Sequence, residues 1–341
     1  MEETFTLKGD DKFLVIGPAK VRVLSGKVEV FGKEVRRGEE FIVKRYKAFP
    51  LEALKTSSKV SITLGMGGKV EEGGRIGCGF WEDLAKTIRE DPRDALILGK
   101  VDSGKSSLAV FLVNRCLGKG LRIGVIDADP GQGDIGEPGL IGSAIPGKPI
   151  LSLEELKPFK TAFIGSTSPM GLEERLERAV AHLFQDLKEK GCEVVLVVLH
   201  GWVTGEYAHS HILRLAALLR VGIVVSLGDG ELEPLLERFK ELEEAGSGLK
   251  YLLGVEPDTY KRSLGQRRAI RNRKIRRYFS QTPFYIKHIR HGEIPIHGTK
   301  IFQGEMTSLR EDVKKYILEV VGGGRGSHIY SEAGKRGTRS W

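Results

Sequence analysis

Residues 95–107, Ala-Leu-Ile-Leu-Gly-Lys-Val-Asp-Ser-Gly-Lys-Ser-Ser, combine the residue types and spacing that phosphate chemistry needs. Gly99, Gly104, Lys105 and Ser106 fit G-x-x-x-x-G-K-[ST], a loop whose backbone wraps a phosphate chain. Glycine allows the turns because no Cβ blocks them. The N–H groups of Lys100, Val101, Asp102 and Ser103, with those of Ser106 and Ser107 where a helix would open, aim partial positive charge at the anion. Lys105 is expected on the β- and γ-phosphates and the Ser106 hydroxyl on Mg²⁺.

Such a loop must be held between a strand and a helix. Ala95–Leu98 is an apolar run suited to a buried parallel strand. Leu108, Phe111, Leu112 and Cys116 recur at helical spacing over Leu108–Leu117. Further strands at Arg122–Ile126, Thr161–Ile164, Glu193–Val198, Gly222–Ser226 and Leu249–Gly254 alternate with helices at Leu172–Lys190, His209–Leu219 and Leu232–Glu244. That alternation predicts an α/β domain, a parallel sheet with helices on both faces. Functional loops in such sheets lie at the C-terminal ends of strands.

The second strand runs into Asp127-Ala128-Asp129-Pro130-Gly131-Gln132-Gly133-Asp134. Acids in this place beside a phosphate loop hold Mg²⁺ or the attacking group. Asp129, at the Pro-Gly turn where the strand ends, has more freedom than Asp127 to enter the site. An ordinary Asp turn is the plainer reading. The third strand ends in Gly165-Ser166-Thr167-Ser168-Pro169, read both as a helix N-cap and as a hold on a second phosphate-bearing substrate. The fourth ends in Leu199-His200-Gly201-Trp202; the indole either offers a face to a nucleobase or packs beneath the next helix. His200 reads as a local hydrogen-bond partner rather than an acid or base. Lys261–Phe279 gathers Arg262, Arg267, Arg268, Arg271, Arg273, Arg276 and Arg277 on one helical segment, with Arg267 and Arg271 on one face. Like charges so packed expect an anion, and arginines can close on a γ-phosphate as a lid. The alternative is a solvated helix paired with the acidic Glu231–Glu244 segment.

Upstream, residues 1–75 are read as all-β, with short strands at Lys12–Ile16, Lys20–Leu24, Lys27–Val30, Glu34–Val35, Glu40–Val43 and Lys59–Thr63 forming a sandwich or small barrel. A glycine-dense stretch from Gly65 to Gly79 and a helix at Trp81–Arg89 lead into the phosphate domain. Beyond Ser280, strands at Pro283–Ile289 and Glu293–Ile301, a helix at Leu309–Val321 and a basic tail at Gly322–Trp341 are expected. The length of 341 residues accommodates two or three domains. No apolar window reaches the roughly eighteen residues of a membrane span. The start, Met-Glu-Glu-Thr-Phe, lacks the basic and apolar regions of a secretory signal, so a cytoplasmic chain, nuclear in a eukaryote, is expected. Cys78, Cys116 and Cys192 lack metal spacing and read as buried thiols of a reducing compartment. The net charge of +9, concentrated in residues 261–277, leans toward polyanionic partners, nucleic acid above all.

With these residues in view, the chain resembles the polynucleotide 5′-hydroxyl kinases of RNA processing. The likeness rests on Phe31-Gly32-Lys33-Glu34-Val35, on the phosphate loop with Asp102 at its fourth position, on Asp129-Pro130-Gly131-Gln132-Gly133, on Gly165–Pro169 and on the arginine-rich stretch, in that order. The family's usual T-x-G-W is Leu199-His200-Gly201-Trp202 here, without the threonine hydroxyl. The resemblance implies an N-terminal β domain at 1–88, a P-loop kinase domain at 89–283 and a small C-terminal domain with its tail at 284–341. It implies ATP and Mg²⁺ as cofactors and transfer of the γ-phosphoryl to 5′-hydroxyl ends of RNA, DNA as a second substrate, with RNA-processing proteins as partners. Lys105, Asp129, Arg262 and Arg267 would be catalytic, Asp129 as base. Gly99, Lys100, Val101, Asp102, Ser103, Gly104, Lys105, Ser106 and Ser107 would hold ATP. Ser106 and Asp127 would hold the metal, and Gln132, Thr167, Trp202 and Arg271 the nucleic acid. A GTPase would need N/T-K-x-D after a strand, and Ser226-Leu227-Gly228-Asp229 does not supply it. A catalytically weak, ATP-binding scaffold stays open.

Overall fold

A computed structural model describes residues 2–281 except 10, 55–56, 74–78, 229–231, 255–256 and 258. The elements expected beyond Ser280, and Cys78, lie outside the described residues. Nine short strands open the chain: β1 (Glu2–Leu7), β2 (Lys12–Ile16), β3 (Ala19–Ser25), β4 (Lys27–Val30), β5 (Lys33–Arg36), β6 (Glu40–Val43), β7 (Ala48–Ala53), β8 (Ser58–Leu64) and β9 (Lys69–Glu72). They form two antiparallel sheets, ordered β1-β8-β3-β6 and β5-β4-β7-β2-β9. Along β3, Ala19, Val21 and Val23 are buried and Lys20, Arg22 and Leu24 exposed, the period of two that a half-buried strand needs.

Next come α1 (Gly79–Glu90), β10 (Ala95–Gly99), α2 (Lys105–Leu117), β11 (Ile123–Ala128), β12 (Leu140–Ala144) and β13 (Lys160–Phe163). They are followed by α3 (Glu173–Glu189), β14 (Val194–Leu199), α4 (Glu206–Leu219), β15 (Ile223–Leu227), α5 (Glu233–Glu244), β16 (Lys250–Gly254) and α6 (Leu264–Gln281). The strands make one seven-stranded sheet in the order β13-β12-β11-β14-β10-β15-β16. The pairs β11–β14, β14–β10, β10–β15 and β15–β16 are parallel, as expected. The expected wholly parallel sheet needs one correction: β12 inserts antiparallel between β11 and β13. On β10, Ala95 and Ile97 face a core with α1 and α2, while Leu96 and Leu98 face a second core with α3, α4 and α5. The first core continues through Phe31, Phe41 and Phe49 into the β sheets. The described residues up to Arg271 form one compact unit. No helix among the described residues is long and apolar enough to cross a membrane.

Candidate active site

The phosphate loop turns where its residue types allow. Gly99 has φ 148°, Gly104 φ 92° and Asp102 φ 61°, and α2 opens at Lys105 rather than at Leu108. A Cβ on Gly104 would lie 2.6 Å from Pro257 Cγ, so the segment leading into α6 packs on this glycine. Lys105, buried, folds back on its own loop: Nζ donates to Gly99 O at 2.7 Å and Lys100 O at 2.6 Å. Val101, Asp102, Ser103, Gly104, Lys105, Ser106 and Ser107 line one pocket with Asp127, Asp129, Gln132 and Arg262.

Opposite the loop stands an acidic turn. Asp127 is buried on β11 and accepts from the N–H groups of Asp134 and Ile135. Burial first, then the charges of Asp134 and Asp129, push its carboxyl up to about 7. Asp129 stands past the end of β11, where Oδ1 accepts from Gly131 N–H and Gln132 N–H, both at 2.8 Å. The Asp turn therefore forms, and it holds the carboxylate on the pocket wall. The residues fit a magnesium-bound triphosphate. Ser106 lies in the first turn of α2 and lines the pocket with these acids, and Gln132 Oε1 and Ser103 Oγ are buried there with no hydrogen-bond partner among the described residues.

Arg262 and Arg267 meet at Asp102 of the phosphate loop. Arg262 N–H donates to Asp102 Oδ2 at 2.9 Å and its guanidinium to Oδ1, with Nε at 2.6 Å; Arg267 lies 3.4 Å from Oδ2. Thr259 Oγ1 and Lys261 Nζ donate to the Asp102 carbonyl at 2.6 and 3.2 Å. Arg271 does not line the pocket but feels it: burial and the charge of Arg267 lower its pKa, and Asp129 opposes that. Thr167 is exposed, yet a Cβ on Gly131 would sit 2.4 Å from its carbonyl oxygen, so the third-strand loop backs the acidic turn. The expected N-cap is corrected. The cap of α3 is Leu172, without a side-chain bond, and Ser166 and Ser168 instead accept from the N–H groups of Ser168 and Met170. Trp202 lies outside the pocket lining, half-buried, next to Gly201, where a Cβ would be 2.2 Å from Val101 Cγ2.

Sequence reasoning missed the wall supplied by the β sheets. Phe31, Tyr46, Lys47 and Phe49 line the pocket, as do Asp134, Leu151 and Tyr260. Lys47 Nζ donates to Asp134 Oδ2 at 2.8 Å and lies 3.5 Å from Glu154. Burial works against its charge, but Asp134 and Glu154 outweigh it and hold the pKa above the ordinary lysine value. The rings of Tyr46 and Tyr260 lie 6.1 Å apart between centroids, tilted by 33°. The signals in the chain were Phe31, which carries part of the resemblance without a site role, and the acid-rich run to Asp134, which implies a cation nearby without saying which.

Residues 99–281 match the family model described as the mRNA cleavage and polyadenylation factor CLP1 P-loop. A polyribonucleotide 5′-hydroxyl-kinase of Methanocaldococcus jannaschii is 31% identical over 231 residues, 67% of this chain and 61% of that protein. One of Thermococcus kodakarensis is 33% identical over 213 residues, 62% of this chain and 58% of that protein. The polyribonucleotide 5′-hydroxyl-kinase Clp1 of Xenopus tropicalis is 26% identical over 294 residues, covering 77% and 63%. The chain thus spans about three fifths of the length of these curated relatives. Among solved structures, a wild-type Clp1p–Pcf11p complex matches at a TM-score of 0.65 and 17% identity, over 82% of this chain and 73% of that one, a likeness of fold.

Proposed function

This chain belongs to the CLP1 P-loop family, and from that premise we propose that it transfers the γ-phosphoryl group of ATP to the 5′-hydroxyl end of a polynucleotide, RNA first and DNA second. The observation that carries this reading is one pocket lined by Lys105, Ser106, Asp127, Asp129 and Gln132, with the loop bearing Trp202 packed on its rim at Val101. The names of the archaeal relatives support it.

In this reading the amides of residues 99–107 cradle the phosphates, and Lys105 exchanges its two loop carbonyls for phosphate oxygens. Mg²⁺, when bound, neutralises charge on the phosphates; Ser106 and Asp127 are the residues to hold it. Asp129 takes the proton of the 5′-hydroxyl, Oδ1 being fixed by two amides. Arg262 and Arg267 leave Asp102 for the transferring phosphoryl. Gln132, Thr167, Trp202 and Arg271 hold the terminal nucleotides. Tyr46 and Tyr260 flank the base end of the nucleotide. The domain limits 1–88, 89–283 and 284–341, and RNA-processing protein partners, belong to the same proposal.

A catalytically weak scaffold is the second reading, favoured by one observation: Lys105, Arg262 and Arg267 are all engaged by the phosphate loop itself. Incubation with γ-labelled ATP and 5′-hydroxyl oligonucleotides separates the two. Label on the oligonucleotide is the result expected. Hydrolysis without transfer would make the chain an NTPase, and neither product would leave the scaffold.

A further inference from the structure

Behind Trp202 lies a buried polar chain that the proposed reaction does not use. Its members come from three elements: His200 at the end of β14, His211 and Arg214 on α4, and Glu177 on α3. His200, His211 and Glu177 are buried, at 2%, 0% and 8% exposure, where a polar group without a partner is expensive. Each has its partner. Trp202 N–H donates to His200 Nδ1 at 3.3 Å. His200 Nε2 and His211 Nε2 are 3.2 Å apart, and His211 Nδ1 is 2.8 Å from Glu177 Oε1. Arg214 closes the chain on the same carboxylate.

The hydrogen positions follow from this connectivity. The Trp202 amide can only donate, so His200 Nδ1 accepts and its proton sits on Nε2. That proton goes to His211 Nε2, which leaves the His211 proton on Nδ1, facing Glu177. One pair of neutral tautomers therefore satisfies every link. The imidazole planes differ by 16° with centroids 5.3 Å apart, so the rings lie edge to edge in nearly one plane, as an in-plane N–H···N bond requires. The indole of Trp202 lies at 17° to His211 and 30° to His200, with centroids 6.4 and 6.1 Å away. A proton added to either imidazole would set two N–H groups face to face. The charged neighbours are Lys105 for His200, and Glu177, Arg214 and Glu173 for His211.

We propose that His200, His211 and Glu177 are positioning residues: their relay fixes the Trp202 amide and ring so that the indole stands ready to stack on the terminal nucleotide. The inference rests on the nucleotide-binding role proposed for Trp202. It acts on the polynucleotide rather than on ATP, because the hydrogen bond it makes toward the site goes to the Trp202 amide.

The test uses the full chain with a short 5′-hydroxyl oligoribonucleotide. His211→Phe keeps a flat aromatic ring, somewhat larger, and removes both nitrogens. It should raise KM for the oligonucleotide about tenfold while KM for ATP and kcat stay within about twofold, the size of one lost hydrogen bond. His211→Gln, which keeps a donor and an acceptor, should restore most of the loss. If His211→Phe does not fold, Glu177→Gln keeps the shape and should shift the same KM about threefold. Histidine ¹⁵N NMR should find both imidazoles neutral near pH 7 and in opposite tautomers. An unchanged oligonucleotide KM in His211→Phe, a KM for ATP that rises with it, or identical tautomers would overturn the relay. Trp202→Ala with an unchanged KM would remove the stacking role itself. Should the wild type transfer no label, the kinase reading fails, and oligonucleotide anisotropy in the same variants still decides the relay.

Discussion

The two walls that flank the phosphate loop are held by opposite kinds of force. On the β side, Asn114 of α2 is buried and uses its whole amide: Nδ2 donates to Phe31 O and Ile150 O, and Oδ1 accepts from Ile150 N–H, each at 2.8 Å. Arg115 joins Glu29 to Glu82 and lies 4.9 Å over the Phe111 ring. Around them one apolar core runs from Phe31 and Phe49 into Trp81 and Leu112. On the lid side no residue from Thr259 to Arg271 is buried, and Leu264 is 78% exposed. That wall is tied down by charges on Asp102. Apolar burial and satisfied buried amides hold a surface in one place, whereas an arginine held by a carboxylate can exchange that anion for a phosphate of the same charge sign. On the proposed function, the fixed wall would shape a base pocket and the latched wall would move.

The largest break is expected at the latch. If the lid arginines act on the transferring phosphoryl, Arg267→Ala should lower turnover about a thousandfold while ATP affinity changes only a few-fold. Single-turnover kinetics with a binding titration make the comparison, and equal losses in both would reduce the arginine to a nucleotide hold. Asp129→Asn should lower turnover about a hundredfold with ATP affinity kept. Unchanged turnover would leave that carboxylate only its turn.

The fixed wall should answer in stability instead. Asn114→Leu strands three buried backbone groups, for a loss of about 2–4 kcal/mol and a Tm fall of roughly 5–10 °C. Arg267→Ala should move Tm by far less, and similar shifts for both would erase the distinction between the walls.

That distinction also explains what could be read from the chain. The phosphate loop was legible because its parts are consecutive between residues 95 and 107, and Asp129 because its turn is local. The β wall was not, since Lys47 meets Asp134 and Asn114 meets Phe31 only through tertiary folding. β7 was hidden by Pro50, which a central strand disfavours. The structure accommodates it because the pairing with β4 reaches only Ala53 and Glu52, leaving Pro50 paired to β2 alone. β12 was hidden by its small residues, including Gly142, where a Cβ would fall 2.1 Å from the Ile135 carbonyl. The lid was read as closing on phosphate, and its first anion in the structure is Asp102, a contact that arginine spacing does not encode.

A finer test asks whether Asp102 competes with phosphate or aims the arginines. Asp102→Asn keeps an acceptor for Arg262 N–H but removes the charge. Competition predicts ATP binding several-fold tighter at low salt, with the gain fading as salt screens it. Weaker binding would instead make the carboxylate part of the arginines' alignment.

The smallest effect belongs to the support behind Trp202, which is buried like the β wall yet polar like the latch. Burial, as the leading cause, lowers the pKa of both histidines, that of His200 to about 3. Their folded pKa values lie below the unfolded one, so between about 6.5 and 3 the unfolded chain binds more protons than the folded chain. The stability from the neutral pair is therefore complete above pH 6.5 and drains as pH falls through that window. Carboxylates contribute to the same acid curve, so the quantity to measure is the difference in Tm between the wild type and His211→Phe at each pH. That difference should shrink as pH falls from about 6.5 toward 4. A constant difference would mean that the pair carries a proton already at neutral pH. The support behind Trp202 would then be an ion pair with Glu177 and would join the latch rather than the fixed wall.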